Sequence, residues 1–285
     1  MGNAAVGTPE ATVGTVERRS DVIAADRVRA LASALDLEEI PGGGDVLPPA
    51  WHWLFFNPFA RRRELGPDGH PKRPASLPGG EMSRRMWAGG RLAYHRPVPI
   101  GTPAERESEI VEVVSKQGRS GALVFVTTRH RVFSGGTLCI EEEQDVVYRE
   151  PSRRGQASAE PRAAPAEAKW SEPFAPDPVL LFRYSALTAN GHRIHYDQDY
   201  ARTEEDYPDL VVHGPLIATL LHGLATRCRA DATLRRFEFR AVAPLFVDRP
   251  FRLEAAPSED CDDLILWTKG PEGGLAMQAK AGFDD

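Results

Sequence analysis

The chain is poor in cysteine. Its 285 residues hold three, Cys139, Cys228 and Cys261, each far from the others; this spacing excludes a zinc knuckle or a thioredoxin-like pair and suits a reducing, cytoplasmic compartment. Long apolar runs are missing too. No segment approaches the roughly 20 residues of a membrane span, so no membrane partner is expected. Basic excess is also absent: 35 Lys and Arg against 41 Asp and Glu give a net charge of -6 and a pI of about 5.8. Nothing draws such a chain to nucleic acid, and its partners should be small or neutral. The opening MGNAAVGTPEATVGTVERRS has no apolar signal core. Val6 stands where a myristoylation site wants Ser or Thr. The glycine-rich GGG at 42–44 and PGGE at 78–81 match neither a phosphate loop nor a dinucleotide fingerprint. No cofactor is expected.

What is present reads as a soluble globular protein: 41% hydrophobic and 27% charged residues with a mean hydropathy of -0.38. The length accommodates two ordinary domains. Residues 1–20 read as a loose tail. Val28, Leu31 and Leu35 then recur at helical spacing within Asp21 to Leu37. Residues 40–90 are rich in Pro and Gly around LPPAWHWLFFNPF, whose aromatics read as core rather than as a ligand wall. From Arg91 to Glu150 four β-branched and aromatic runs predict an antiparallel meander. Pro151 to Ala168 lacks large apolar residues and reads as a linker.

The order of elements then repeats. VLLFRYSALT (179–188) reads as a short strand, DYPDLVVHGPLIATLLHGLATR (206–227) holds a helix, and strands return to the C-terminus. LAYHRPVPI (92–100) lies over FEFRAVAPL (237–245), with Pro99 over Pro244, which points to a duplicated unit. Leu216, Ile217, Leu220, Leu221 and Leu224 cover nearly the whole circumference of the second-half helix, so protein must wrap it. The expected class is α+β, a curled antiparallel sheet around a buried helix, in two copies: 21–150 and 171–285, joined by 151–170.

Two histidines, an arginine and an asparagine crowd into ANGHRIHYD (189–197). His195 is the natural proton carrier, since neutral imidazole takes a proton near pH 7 and returns it. Asn190 can share its pocket if the chain turns at Gly191, holding a water or a carbonyl; a polar loop with a hydrogen-bonded histidine is the plainer alternative. His192, His195 and Asp197 can also be read as metal ligands, but HRIHYD has strand-like content and no cysteine or acid cluster converges on it in sequence. No metal is expected. In VVHGPL the free N–H groups of a helix start centred on Gly214 form a donor-rich spot for an oxyanion, with Pro215 in the first turn; a simple helix start is the alternative. His213 is a cap, a core histidine or a substrate contact. Arg61, Arg62, Arg63, Arg84 and Arg85 read as solvated surface rather than as phosphate ligands.

FRYSALTANGHRIHYDQDYA (182–201) followed by YPDLVVHGPLIATLLHGLA (207–225) resembles the MaoC-type dehydratase/hydratase family. The whole chain resembles its double-hotdog members: mesaconyl-C4-CoA and itaconyl-CoA hydratases and type 2 hydroxyacyl-thioester dehydratases. The resemblance implies a hotdog in each half and reversible, syn addition of water to a 2-enoyl thioester of CoA or acyl carrier protein. It places the family histidine on His195 and the oxyanion glycine on Gly214. The family aspartate position is held by Asn190, an amide that cannot accept the proton, so His195 alone does the proton work while Asn190 orients water. Arg193, His213 and Pro215 are the expected substrate contacts, with Arg193, Arg183 or a first-half arginine available for the far carboxylate of a diacid. The first half has no site of its own and shapes the acyl tunnel. A double hotdog is an internal dimer that can still pair into a homodimer. A thioesterase and a non-catalytic acyl-CoA binder on the same fold are the alternative functions.

Overall fold

The computed structural model describes residues 13–72, 82, 84–118, 121–150, 162–259 and 262–284; parts of the expected tail (1–12) and linker (151–161), the PGGE motif and Cys261 lie outside them. In chain order the elements are β1 (Val16–Val22), α1 (Ala25–Ala34), β2 (Arg84–Tyr94), β3 (Pro103–Gly118), β4 (Gly121–Ser134), β5 (Thr137–Arg149), β6 (Trp170–Phe174), α2 (Pro178–Leu187), α3 (Gln198–Thr203), α4 (Gly214–Cys228), β7 (Thr233–Ala241), β8 (Phe251–Pro257), β9 (Leu264–Lys269) and β10 (Leu275–Asp284). The strands form one ten-stranded antiparallel sheet in the order β1-β3-β4-β5-β2-β7-β10-β9-β8-β6.

That order is a palindrome of two five-stranded units joined where β2 pairs with β7. The loops repeat it bond for bond. His95 and Arg96 donate to the Cys139 carbonyl, as Val242 and Ala243 donate to that of Ala276. Ile100 donates to Asp45 as Val247 does to Leu210, and Gly101 to Ile23 as Asp248 does to Pro176. These equivalences put His95 on Val242 and Ile100 on Val247, two residues from the register in which Pro99 lies over Pro244. The slip is even, so it keeps every side chain on its own face, and the sequence pattern could not detect it. The molecule is a double hotdog.

Three local expectations change. Residues 16–20, expected in a loose tail, belong to β1, which pairs with β3 from Val16↔Glu109 to Val22↔Pro103; ladder hydrogen bonds hold a segment too polar to show a strand pattern. VLLFRYSALT is helix α2. The Asp177 carboxylate accepts from the Leu180 N–H at 2.7 Å and Pro178 opens the first turn, caps that outweigh a short apolar run. HRIHYD is a 3₁₀ turn at Arg193–His195 followed by Asp197 capping α3 through the Tyr200 N–H.

In the second half α4 lies in the curl of the sheet with Leu216, Ile217, Leu221 and Leu224 buried. The bridge Val211↔Phe246 that leads into it has its counterpart in Val46↔Pro99. There the helix is replaced by one 3₁₀ turn, Trp51–Leu54. Pro48 and Pro49 precede it, Ala50 and Phe56 both take positive φ, and Pro58 follows, so the backbone cannot propagate. Residues 57–72 are released and cross to the second half.

Candidate active site

The site is built where the loop after α2 meets the start of α4. Asn190 closes α2 by donating its N–H to the Ser185 carbonyl at 2.9 Å, and its Oδ1 accepts from the His192 N–H at 3.0 Å. The left-handed residue is Ala189, at φ 51°. Gly191 serves a different need from the turn expected of it: a Cβ there would stand 2.5 Å from the Gly69 carbonyl oxygen, and one on Gly69 would collide with that of Gly191. Two backbones touch, which only glycine permits.

His195 Nδ1 lies 2.7 Å from the Val211 carbonyl, so it carries the proton and Nε2 is left as the acceptor. Nε2 has no protein partner among the described residues. The ring stacks at 3.7 Å on His213, the residue that precedes Gly214 at the start of α4. His195 and Gly214 are thereby brought together. Burial, reinforced by His213 and His192, holds the His195 pKa well below that of an ordinary histidine, and the ring is neutral. His213 is fully buried, bonded through Nε2 to the Ser185 hydroxyl at 2.8 Å and lowered to about 3 by desolvation. Gly214 and Leu216 present N–H groups in the first turn of α4, Pro215 has none, and no side chain caps the turn. A Cβ on Gly214 would meet Trp87 of β2 at 3.3 Å, so the first half supplies a wall over this end.

The first half also supplies Asp68, Gly69 and His70, which the sequence pattern did not single out. Arg193 donates its N–H to the Asp68 carbonyl and its Nη1 to that of Pro67. Its guanidinium is held by Asp197 at 2.7 Å and lies over Tyr200; it is tied to the loop rather than free to take a substrate carboxylate. Arg183 is engaged likewise with the Ala30 and Ser33 carbonyls of α1. His70 bonds Asp68 at 3.0 Å and packs on His192, and burial lowers it to about 4. Glu205 lies 3.8 Å from His192 and 3.1 Å from Arg84, both pairs buried, so Arg84 is a locked internal cation and not solvated surface. The signal available was PDGH, an Asp-Gly turn carrying a histidine.

Asp68, His70 and His192 bring three ligand atoms within 4.8 Å of one another. The two imidazoles, however, lie 4.3 Å apart, tilted by 41°, whereas rings sharing a tetrahedral ion splay to about 5 Å or more. The group reads as a hydrogen-bonded brace.

A neutral imidazole nitrogen without a protein partner among the described residues thus lies in the same half as an uncapped helix start, inside a double hotdog, and the relatives of this chain are hydro-lyases. The chain belongs to the hydroxyacyl-thioester dehydratase type 2 family, whose model matches residues 50–247. It is 46% identical to the mesaconyl-C(4)-CoA hydratase of Chloroflexus aurantiacus over 94% of this chain and 95% of that protein. To the mitochondrial hydroxyacyl-thioester dehydratase type 2 of Schizosaccharomyces pombe it is 30% identical over 73% and 77%. A Mycobacterium tuberculosis protein described as a double hotdog superposes with a TM-score of 0.58 at 12% identity, covering 95% of this chain and 96% of that one. No helix among the described residues is long and apolar enough to cross a membrane.

Proposed function

We propose that the chain adds water reversibly, with syn geometry, across the C2=C3 bond of a short 2-enoyl-CoA, a branched dicarboxylyl thioester of the mesaconyl-C4 type being the favoured substrate. Water attacks C3 while His195 Nε2 takes its proton; the C2=C3 electrons move to the thioester oxygen, giving an enolate held by the Gly214 N–H. The enolate collapses as the imidazolium delivers the proton to C2, which restores neutral His195. Dehydration runs the same steps backwards. Asn190 has its carbonyl committed to the loop, and its remaining amide N–H₂ is the part that orients water. Pro215 fixes the first turn so that the Gly214 N–H points outward, and His213 backs His195 from beneath. Free thiols at Cys139 and Cys228 support a reducing compartment such as the cytoplasm, and the internal duplication leaves the outer faces open to homodimer formation.

The observation that carries this reading is the His195 tautomer: Nδ1–H given to Val211 leaves Nε2 as a base beside Gly214. The test follows the loss of the enoyl-thioester chromophore of crotonyl-CoA and mesaconyl-C4-CoA. His195→Ala is expected to lower kcat by roughly 10²–10⁴, and Gly214→Ala, which pushes on Trp87, by a smaller factor. Near-normal turnover by His195→Ala removes the assignment. Release of free thiol in place of a hydroxyacyl-CoA marks a thioesterase.

A further inference from the structure

The 3₁₀ turn that replaces the first-half helix is core except at one ring. Of residues 51–56 only Trp53 is half-buried. It stands edge-on to Trp87 at 5.1 Å, with an interplanar angle of 87°, and to His222 of α4 at 5.8 Å. Trp87 in turn covers Gly214 at the start of α4. His222 lies eight residues further along that helix, about 12 Å at 1.5 Å per residue, so the two indoles follow α4 in series from the site inward.

Both rings are held in place. The register of β2 against β5 shifts between Trp87 and Gly89, a bulge of the kind that re-aims a side chain. Gly90 leaves room for the Phe239 ring, since a Cβ there would stand 2.9 Å from it, and Trp87 leans on that ring at 4.7 Å. The Trp53 Nε1–H donates to both oxygens of Glu142, at 3.1 Å each. Glu142 is buried and bonded to His52 at 3.0 Å, and the Ala50 N–H donates to the Tyr94 hydroxyl at 3.2 Å to pin the turn. A carboxylate is costly to bury; this one fixes a single orientation of the indole.

Polarity decides which end of a substrate meets these rings. His52, His222 and Phe239, on which Trp53 leans, are all buried, so beyond Trp87 the site runs into protein. The phosphates of CoA belong in water, and the acyl group is the end that can point this way. We propose that Trp53 is the specificity-determining stop of the acyl pocket, restricting the enzyme to short 2-enoyl groups whose thioester oxygen lies at the Gly214 N–H. This rests on the hydratase reading above. The fourth carbon of a crotonyl group lies about 4 Å from its carbonyl carbon, and the eighth of a 2-octenoyl group about 9 Å. The first ends beside Trp87; the second runs into Trp53.

The test measures kcat/KM for crotonyl-CoA and trans-2-octenoyl-CoA with wild type, Trp53→Ala and Trp53→Leu. The ratio of the two substrates within one variant is insensitive to the fraction folded, and Trp53→Leu keeps more of the packing should Trp53→Ala fold poorly. Each methylene seated or refused is worth about fourfold. Wild type is therefore expected to favour crotonyl-CoA roughly 100-fold, and both variants to raise the octenoyl-to-crotonyl ratio, Trp53→Ala by at least about 10-fold. An unchanged ratio in both variants, or wild type that takes octenoyl-CoA as readily as crotonyl-CoA, overturns the proposal while leaving the hydratase reading intact. Wild type that hydrates neither thioester overturns both.

Discussion

Asn190 shapes the active-site loop before it can touch a substrate, because its Oδ1 is the acceptor for the His192 N–H. Aspartate offers the same acceptor and alanine offers none. Asn190→Ala should therefore lose about 1 kcal/mol of stability together with much of the turnover, whereas Asn190→Asp keeps its unfolding temperature. The carboxylate introduced by Asn190→Asp stands beside the histidine cluster and favours imidazolium, which raises the His195 pKa. In wild type that pKa is depressed, so the base form persists as pH falls and kcat/KM holds steady through 6.5, declining only well below it. The acidic limb of Asn190→Asp should move to higher pH. Thermal melts and pH–rate profiles of the three proteins check both statements, and an Asn190→Ala protein as stable and active as wild type would show that the turn does not depend on this amide.

Between elements, the site is made by two loops that share no sequence neighbourhood. The first-half loop at 65–71 docks on the loop at 189–197 through the Gly69–Gly191 contact and the bonds from Arg193 to Pro67 and Asp68. A methyl group on Gly191 forces these backbones apart, since its nearest neighbour is a carbonyl oxygen and not a side chain that can swing away. Gly191→Ala is expected to cut kcat at least 10-fold, as misplacing catalytic groups by an ångström does, and to speed amide exchange in 65–71 as well as in 189–197. Normal exchange in 65–71 with activity retained would mean that the loops dock by other contacts. This contact also marks how far the sequence can be read. His195, Asn190 and Gly214 are legible because they sit in two short motifs, and the strands from Arg91 to Glu150 because they alternate. Asp68 and His70 are not, because they meet the motifs only through a crossing that exists where the first-half helix has collapsed to Trp51–Leu54; Trp87 of β2 and Glu205 are not, because only tertiary packing brings them to Gly214 and His192. The VLLFRYSALT segment misleads for a simpler reason: a ten-residue apolar run carries no period that separates strand from helix.

At the scale of the molecule, duplication leaves unlike polar groups inside two like shells. His195 and His213 are enclosed in the second half and His70 in the crossing loop, while His222 of α4 packs against Phe237 at 3.5 Å. All four are lowered by burial, as is His130 of β4: His70 and His130 to about 4 and His213 and His222 to about 3. A histidine whose folded pKa lies below its unfolded value of about 6.5 gives stability that is complete above 6.5 and lost as pH falls toward the folded value, because the unfolded chain binds the extra proton. Each such group withdraws about 1.4 kcal/mol per pH unit in that window. The buried carboxylate Glu142, held near 2 by His52 despite its burial, loses its own contribution only below its unfolded value of 4.5. Between pH 6.5 and 4.5 the histidines therefore decide the slope, and it is steep. The unfolding temperature should be flat from pH 8 to 7 and fall by many degrees by pH 5. His222→Phe, which keeps the stack on Phe237 and removes one of five titrating rings, far from His195, should lessen that fall by about a fifth without moving the pH profile of turnover. A melting temperature that stays level from pH 7.5 to 5 would mean that these rings protonate inside the folded protein.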